Sequence, residues 1–439
     1  MNLRQAAILA AALTATLILA ACGGGNSDSS SQSPPLYSFD YVPTGVTANA
    51  LFTWDIAWID SPNELYVQCD RTTKGVDVFD IKANAFKGTI TGGFTGPVLN
   101  TSGAVNNTKS GPNGCTLITG TSLVYAGDVN KVIVVDDKAM TVVTSVANDN
   151  AALGGTGLRS DEGCYDADDK IYLIATPDVD NSVAGHSAFL TVMDATNPSA
   201  PTIKGYISFF DPTDPTGLKA GTASAGLEQC AYDAVNKQFL VNNDGTVANP
   251  DGEVDAFSAA AVKAIAGGAT VNETTLAGYK VFGVGGTTVQ CNPRGLDLGP
   301  GTTAANAEFA INCSNPVGKP MVTQIMNRST GAIIATAKFG GGDQLMYDPS
   351  TNAYYVTGSN WNSTGIRASS TSPVNPMIGV VAATTGTVTA QLQAGQGSHA
   401  VAVDPVSHEM FVPHTMATSI CPSCIGPFAI SGVSVYRVQ

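Results

Sequence analysis

Three of the chain's four histidines fall in one stretch, GSHAVAVDPVSHEMFVPH, at His399, His408 and His414. Histidines this close can share a metal ion or relay protons. Oxygen-bearing side chains elsewhere widen the choice: Asp55, Asn113, Asp161, Glu162, Glu228, Asn292 and Asp343 each open a short, mostly apolar run. Hard oxygen donors of this kind suit Ca²⁺ or Mg²⁺. Carboxylates crowded together would need a cation, or protons, to offset their repulsion. The chemistry on offer is therefore polarisation of a carbonyl or a water by a metal, with His399 or a carboxylate moving protons. It works only if the fold gathers these runs at one place.

The runs are copies of one unit. HAVAVDPVSHEMFVPH (399–414) aligns position for position with DQLMYDPSTNAYYVTG (343–358), EQCAYDAVNKQFLVNN (228–243) and DIAWIDSPNELYVQCD (55–70). Each starts on a polar residue, runs as a short strand to an Asp five positions on, turns, and returns as a second alternating strand. Looser copies at NGCTLITGTSLVYAGD (113–128), DEGCYDADDKIYLIAT (161–176) and NPRGLDLGPGTTAANAEFAIN (292–312) bring the number to seven. A third strand (GVDVFD, VIVVDD, FLTVMD) and a fourth (FKGTIT, TVVTSV, TIKGYIS, AIIATAKF, TVTAQLQ) follow most of them. Four short antiparallel strands repeated about every 50 residues predict an all-β fold, a seven-bladed β-propeller. One blade buries too little by itself, so neighbouring sheets must stack.

The seventh copy supplies three strands, and LYSFDYV (36–42) has strand alternation without a blade of its own. It is expected to complete the last blade as its outer strand and close the ring. The competing arrangement is six blades with a separate module. In a propeller the first residues of the inner strands surround the central channel. That places Asp55, Asn113, Asp161, Glu228, Asn292, Asp343 and His399 at one mouth, with Glu162 equally well placed in the third blade. Three or more of Asn113, Glu162, Glu228, Asn292 and Asp343 would have to converge to hold Ca²⁺ or Mg²⁺. Otherwise they simply solvate a water-filled funnel. His414 ends the second strand of its blade, so antiparallel pairing returns it to the channel mouth beside His399. His408 falls in the turn at the other end.

At HAVAVDPVSHEMFV, YDPSTNAYYVTGS and GPNGCTLI the chain resembles the YVTN/NHL-type propeller superfamily, over roughly residues 45–439. That resemblance implies the fold, while the functions it spans include lactonases, lyases, electron-transfer subunits and plain binding modules. Glu162-Gly163 and Asn113-Gly114 are similar to two metal-holding pieces of gluconolactonase-like propellers. Their order along the chain differs, and Asp343 precedes Gln344 where that pattern has Asp-Gly. Virginiamycin-lyase-like propellers pair a His with a Glu and Mg²⁺, and His399 is available for such a role.

The eight cysteines after residue 22 are Cys69, Cys115, Cys164, Cys230, Cys291, Cys313, Cys421 and Cys424. An even number in an exported chain reads as disulfides. Blade positions suggest 69–115 and 164–230 between neighbouring blades, with 291–313 and 421–424 local; CPSC could instead serve redox or metal chemistry. Export is signalled at the start. MNLRQ and AAILAAALTATLILA form a positive and an apolar region over a signal peptide of residues 1–21. Leu19-Ala20-Ala21-Cys22 resembles a bacterial lipobox, which implies acylation of Cys22, and Gly23 in place of Asp favours the outer membrane. GGGNSDSSSQSPP extends residues 22–35 as a flexible tether to a propeller domain over 36–439. Formal charge is −14 with 13% charged residues, and no basic stripe exists, which argues against nucleic acid as a partner. The loop NNDGTVANPDGEVD (242–255) is rich in oxygen side chains but departs from EF-hand spacing, so it is expected to be a solvated acidic loop. Two functions fit: a lipid-anchored binding or scaffold module for a small molecule, polymer or protein, or a divalent-metal lactonase-like hydrolase or lyase working in the funnel.

Overall fold

The computed structural model describes residues 37–47, 49–179, 183, 186–209, 226–246, 249–284, 291–314, 317–367 and 369–438. Its strands form seven sheets, and six of these have four strands. Blade I comprises Trp54–Asp60, Leu65–Asp70, Gly75–Asp80 and Ala85–Thr91. The inner strands of blades II to VI are Cys115–Leu117, Gly163–Asp166, Leu227–Asp233, Pro293–Leu298 and Leu345–Asp348. Blade VII begins with the short pair Ala402–Val403. Each inner strand touches the next around the circle, and that of blade VII touches that of blade I, so the ring is closed.

The N-terminal strand closes it as expected. Tyr37–Val42 pairs antiparallel with Gly432–Val438, from Tyr37 opposite Val438 to Val42 opposite Val433. Leu36, Cys22, the signal peptide and the tether lie outside the described residues. Blade III departs from the pattern by gaining a fifth strand. Ala269–Asn272 lies parallel to Thr202–Ser208, after the short helix Ala259–Ala264 leaves the third strand of blade IV. Blade IV then takes Lys280–Gly283 as its own outer strand.

The repeated Asp has a local purpose. At the end of an inner strand its carboxylate accepts turn amides: Asp60 from Asn63, Asp166 from Asp168 and Asp169, Asp233 from Val235, Asp348 from Ser350, Asp404 from Ser407. Each turn then needs one residue in the left-handed region before the second strand, supplied by Glu64, Lys170, Lys237, Asn352 and His408 at φ between 51° and 60°. His408 is thus a turn residue, hydrogen-bonded to Ser350 Oγ at 2.7 Å. An aromatic early in the second strand packs between blades: Tyr125 meets Tyr172 edge-on at 4.9 Å, and Tyr66 stacks on Phe411 at 5.0 Å. The four expected disulfides form, 69–115, 164–230, 291–313 and 421–424.

Candidate functional site: the central funnel

The inner strands converge on a cavity of about 300 Å³ at the mouth where they begin. Close approach of neighbouring strands is permitted by glycine: a Cβ on Gly114 would lie 2.6 Å from the Asp161 carbonyl oxygen, and one on Gly295 2.2 Å from that of Asp343. Five carboxylates line the cavity: Asp55, Asp161, Glu162, Glu228 and Asp343. His399 lines it too, together with Phe52 and Trp54. Those six polar positions are where the repeat places them.

Three expected residues lie elsewhere. Asn113 is fully buried behind the wall, its Oδ1 accepting from Arg71 Nε at 3.0 Å while its Nδ2 donates to the Ser110 and Ser160 carbonyls at 3.1 and 3.0 Å. Asn292 donates to the Asp244 carbonyl at 2.9 Å and does not line the cavity. The cause is a bulge between Pro293 and Leu296, which aims Arg294 into the funnel instead. His414 does return to this end of its blade, but it is fully buried, packed 6.0 Å from Tyr41 and 5.9 Å from Phe428.

What the repeat could not reveal is the arginines. The chain has seven, and Arg71, Arg159 and Arg294 all line this one cavity. Arg71, just past the second strand of blade I, donates to Asp55, to Asn113 at 2.8 Å and to the Trp54 carbonyl at 2.6 Å. Arg159, in the link between blades II and III, pairs with Asp161 at 2.9 Å, Asp178 at 2.6 Å and Asp55 at 3.8 Å. Arg294 pairs with Glu228 and approaches Asp244 at 4.0 Å. Scarcity was the available signal: none of the three falls at a repeat position that a surface lysine could fill equally well.

The carboxylates titrate differently as a result. Burial pushes the Asp55 carboxyl up, but Arg71, His399 and Arg159 together hold it below the usual range. Burial raises Asp161 to about 7 despite Arg159. Glu162 goes well above the ordinary glutamate value, through burial first and then repulsion from Asp161, Glu228, Asp55 and Asp343. His399 is oriented by its backbone: Nδ1 donates to the Gly397 carbonyl at 2.6 Å. Its ring stacks on Trp54 at 5.1 Å and 11°.

Four buried polar atoms of the lining residues have no hydrogen-bond partner: Trp54 Nε1, Asp161 Oδ1, Glu162 Oε2 and Arg294 Nε. Buried polar groups are ordinarily satisfied. Among the described residues, no three His, Cys, Asp or Glu side chains are arranged to hold a metal ion. Of the five expected Ca²⁺ or Mg²⁺ ligands, Glu162, Glu228 and Asp343 share the cavity, and Glu228 is committed to Arg294.

A smaller cavity, about 190 Å³, opens where the inner strands end, among Trp58, Tyr165, Tyr232, Leu298, Met346 and the 164–230 disulfide. The acidic side chains described in the loop between residues 242 and 255 are mostly packed rather than solvated. Asp244, Glu253 and Asp255 are buried, and Glu253 accepts from Asn249 at 2.6 Å and Thr246 at 3.0 Å. Cys421 and Cys424 are likewise buried as a closed pair.

No protein-family model and no curated protein sequence matches the chain. Solved structures do match. A chain of the mitotic checkpoint complex aligns at TM-score 0.52 and 11% identity, over 96% of this chain and 100% of that one. U3-55K aligns at 0.54 and 6%, over 90% and 100%. Kuenenia stuttgartiensis hydrazine synthase aligns at 0.52 and 12%, over 84% and 94%. The likeness is one of fold alone. It places the chain among seven-bladed propellers and says nothing of its ligand.

Proposed function

We propose that this protein is an exported, lipid-anchored β-propeller that acts as a binding module at the bacterial outer membrane, with its ligand seated in the central funnel. The observation that carries the reading is the funnel itself: a cavity of about 300 Å³ lined by five carboxylates, three arginines and His399, four of whose lining residues each have a buried polar atom without a hydrogen-bond partner. The export signal, the lipobox-like LAAC and the polar tether support the anchor, and the disulfides suit an oxidising compartment. The metal-dependent hydrolase or lyase remains the second reading. It would have to be run by Glu162, Asp343 and His399, since the other carboxylates at the cavity are engaged by arginine.

Two measurements test the proposal. Acylation and membrane pelleting should be lost in Cys22→Ser; a variant that pellets like the wild type would refute the anchor. For the funnel, a chemically sorted panel of sugars, amines, carboxylates, phosphate and CaCl₂ is screened by thermal shift. Asn107 is exposed at the rim of the cavity, so Asn107→Trp should cork it without touching the acids. At least one class should raise the melting temperature of the wild type and not of Asn107→Trp. No response from any class would remove the funnel as a binding site.

A further inference from the structure

Seven acids share three guanidinium groups around this cavity: the five that line it, with Asp178 and Asp244 drawing on Arg159 and Arg294 from behind. A further arginine nearby, Arg367, is held on the carbonyl and hydroxyl of Ser314. The arginines are thus committed, and an anionic ligand would meet excess negative charge. The unpartnered acceptors point to the opposite sign. Asp161 Oδ1 and Glu162 Oε2 belong to residues only 2% and 4% exposed, and both residues line the cavity.

A divalent metal would need several oxygens converging at about 2.3–2.6 Å, and no such group of three acids or histidines exists among the described residues. An ammonium group asks less: it offers three N–H donors to acceptors at ordinary hydrogen-bond distance. The wall beside the acids is aromatic. Phe52, Trp54 and His399 form one stack, with ring centroids 4.5 and 5.1 Å apart. Ring faces of tryptophan and phenylalanine attract organic cations. The remaining unpartnered atoms, Trp54 Nε1 and Arg294 Nε, are donors and call for oxygen on the same ligand. The space, about 300 Å³, is roughly ten waters' worth.

We infer that the funnel binds a small primary amine that also carries hydroxyl or carbonyl oxygens, in the size range of an amino sugar. This rests on the funnel being the binding site and names what enters it. The ammonium lies against Asp161, Glu162 and Asp343, with the aromatic wall alongside. Its charge relieves the repulsion among Asp55, Asp161, Glu162, Glu228 and Asp343 that Arg71, Arg159 and Arg294 offset only in part, with His399 the remaining titratable group on the wall.

The test uses the purified chain and three probes of one frame: glucosamine, glucose and N-acetylglucosamine, with ethanolamine and inorganic phosphate alongside. Calorimetry at neutral pH reads the affinities. Glucosamine and ethanolamine should bind. Glucose and N-acetylglucosamine should bind at least about tenfold more weakly, and phosphate not at all, on the scale of one charge-assisted hydrogen-bond set. Glu162→Gln keeps the volume; it should weaken amine binding by about tenfold to a hundredfold. Asp343→Asn serves as a second variant should Glu162→Gln melt early. Equal binding of glucose and glucosamine, or an unchanged affinity in both variants, would overturn the inference. Binding of a neutral sugar or phosphate alone keeps the funnel and refutes the cation; silence from every probe and from the wider panel refutes both.

Discussion

Replacing His414 with leucine should change how stability depends on pH while leaving the funnel alone. The imidazole is buried among Tyr41, Phe428 and the backbone of Gly395. Burial pushes it down from 6.5 to about 4, against a weaker upward pull from the backbone at Thr415 and Ile430. In the unfolded chain the same group titrates near 6.5. As pH falls from 6.5 towards 4 the unfolded chain takes up a proton that the folded chain refuses, so His414 costs stability across that window and nothing above it. At about pH 4.5 the linkage amounts to roughly 2.5 kcal/mol. Other groups push the opposite way: burial holds Asp161 and Asp137 at about 7, so the folded chain binds protons there more tightly than the unfolded chain does. Their contribution is present at low pH and is lost as pH rises through about 7. Wild-type stability alone therefore mixes two slopes, and the informative quantity is the difference between His414→Leu and wild type. Denaturant unfolding at about pH 7 and pH 4.5 should show that difference moving by about 2.5 kcal/mol in favour of the variant at the lower pH. Parallel curves would mean that His414 is hydrated or protonated in the native state. A loss of ligand response in the variant would mean that it reaches the funnel after all.

The disulfides should rank by the loops they close. Removing 164–230, which spans 66 residues, should cost about 4 kcal/mol, and removing 421–424, which spans 3, less than about 2; equal costs in denaturant titration would contradict this ordering. Arg159→Met should cost about 3–5 kcal/mol, since it strands buried Asp161 and leaves Asp178 without its partner, and adding Asp161→Asn should recover part of the loss. A single variant as stable as wild type would show those acids to be neutral already. Removing Tyr37–Val42 opens the outer edge of blade VII along Gly432–Val438. The truncated chain should melt earlier and self-associate, as seen by light scattering, and an unchanged melting temperature would show that the ring closes without this strand.

The ring was legible because its determinants are local and repeated. An Asp that accepts turn amides, one left-handed residue such as Asn352 or His408, and alternating apolar positions each leave a mark at a fixed offset. The closing strand was legible for a related reason, as a strand with no blade of its own. Blade III's fifth strand was not: Ala269–Asn272 pairs in parallel across a sequence gap, through a helix that belongs to no repeat. The site was legible only in its acids. Counting from the repeat's Asp reaches Asp55, Asp161, Glu228, Asp343 and His399 correctly. It fails at Asn113, which turns behind the wall to Arg71 and two carbonyls, and at Asn292, where a bulge shifts the side chain that faces the axis; strand pairing likewise fails at His414, where the end of a strand points into packing rather than into the channel.

Those failures share a cause that also explains the arginines. A ring of converging strands forces polar first residues together, and in this chain most of them are acidic. Burying like charges is costly, so compensation must come from outside the repeat: Arg71 from beyond a second strand, Arg159 from an inter-blade link, Arg294 from a bulge. Each is placed by irregular backbone and so leaves no periodic trace. The compensation is incomplete. Had it been meant only to stabilise the ring, pairing every acid or replacing it with an apolar residue would have served better. Instead Glu162 sits buried with an oxygen that bonds nothing, beside an Asp161 with another, on the wall of a cavity that stays open. The fold accounts for the acids being there, and a ligand bearing positive charge would complete the compensation that the three arginines begin.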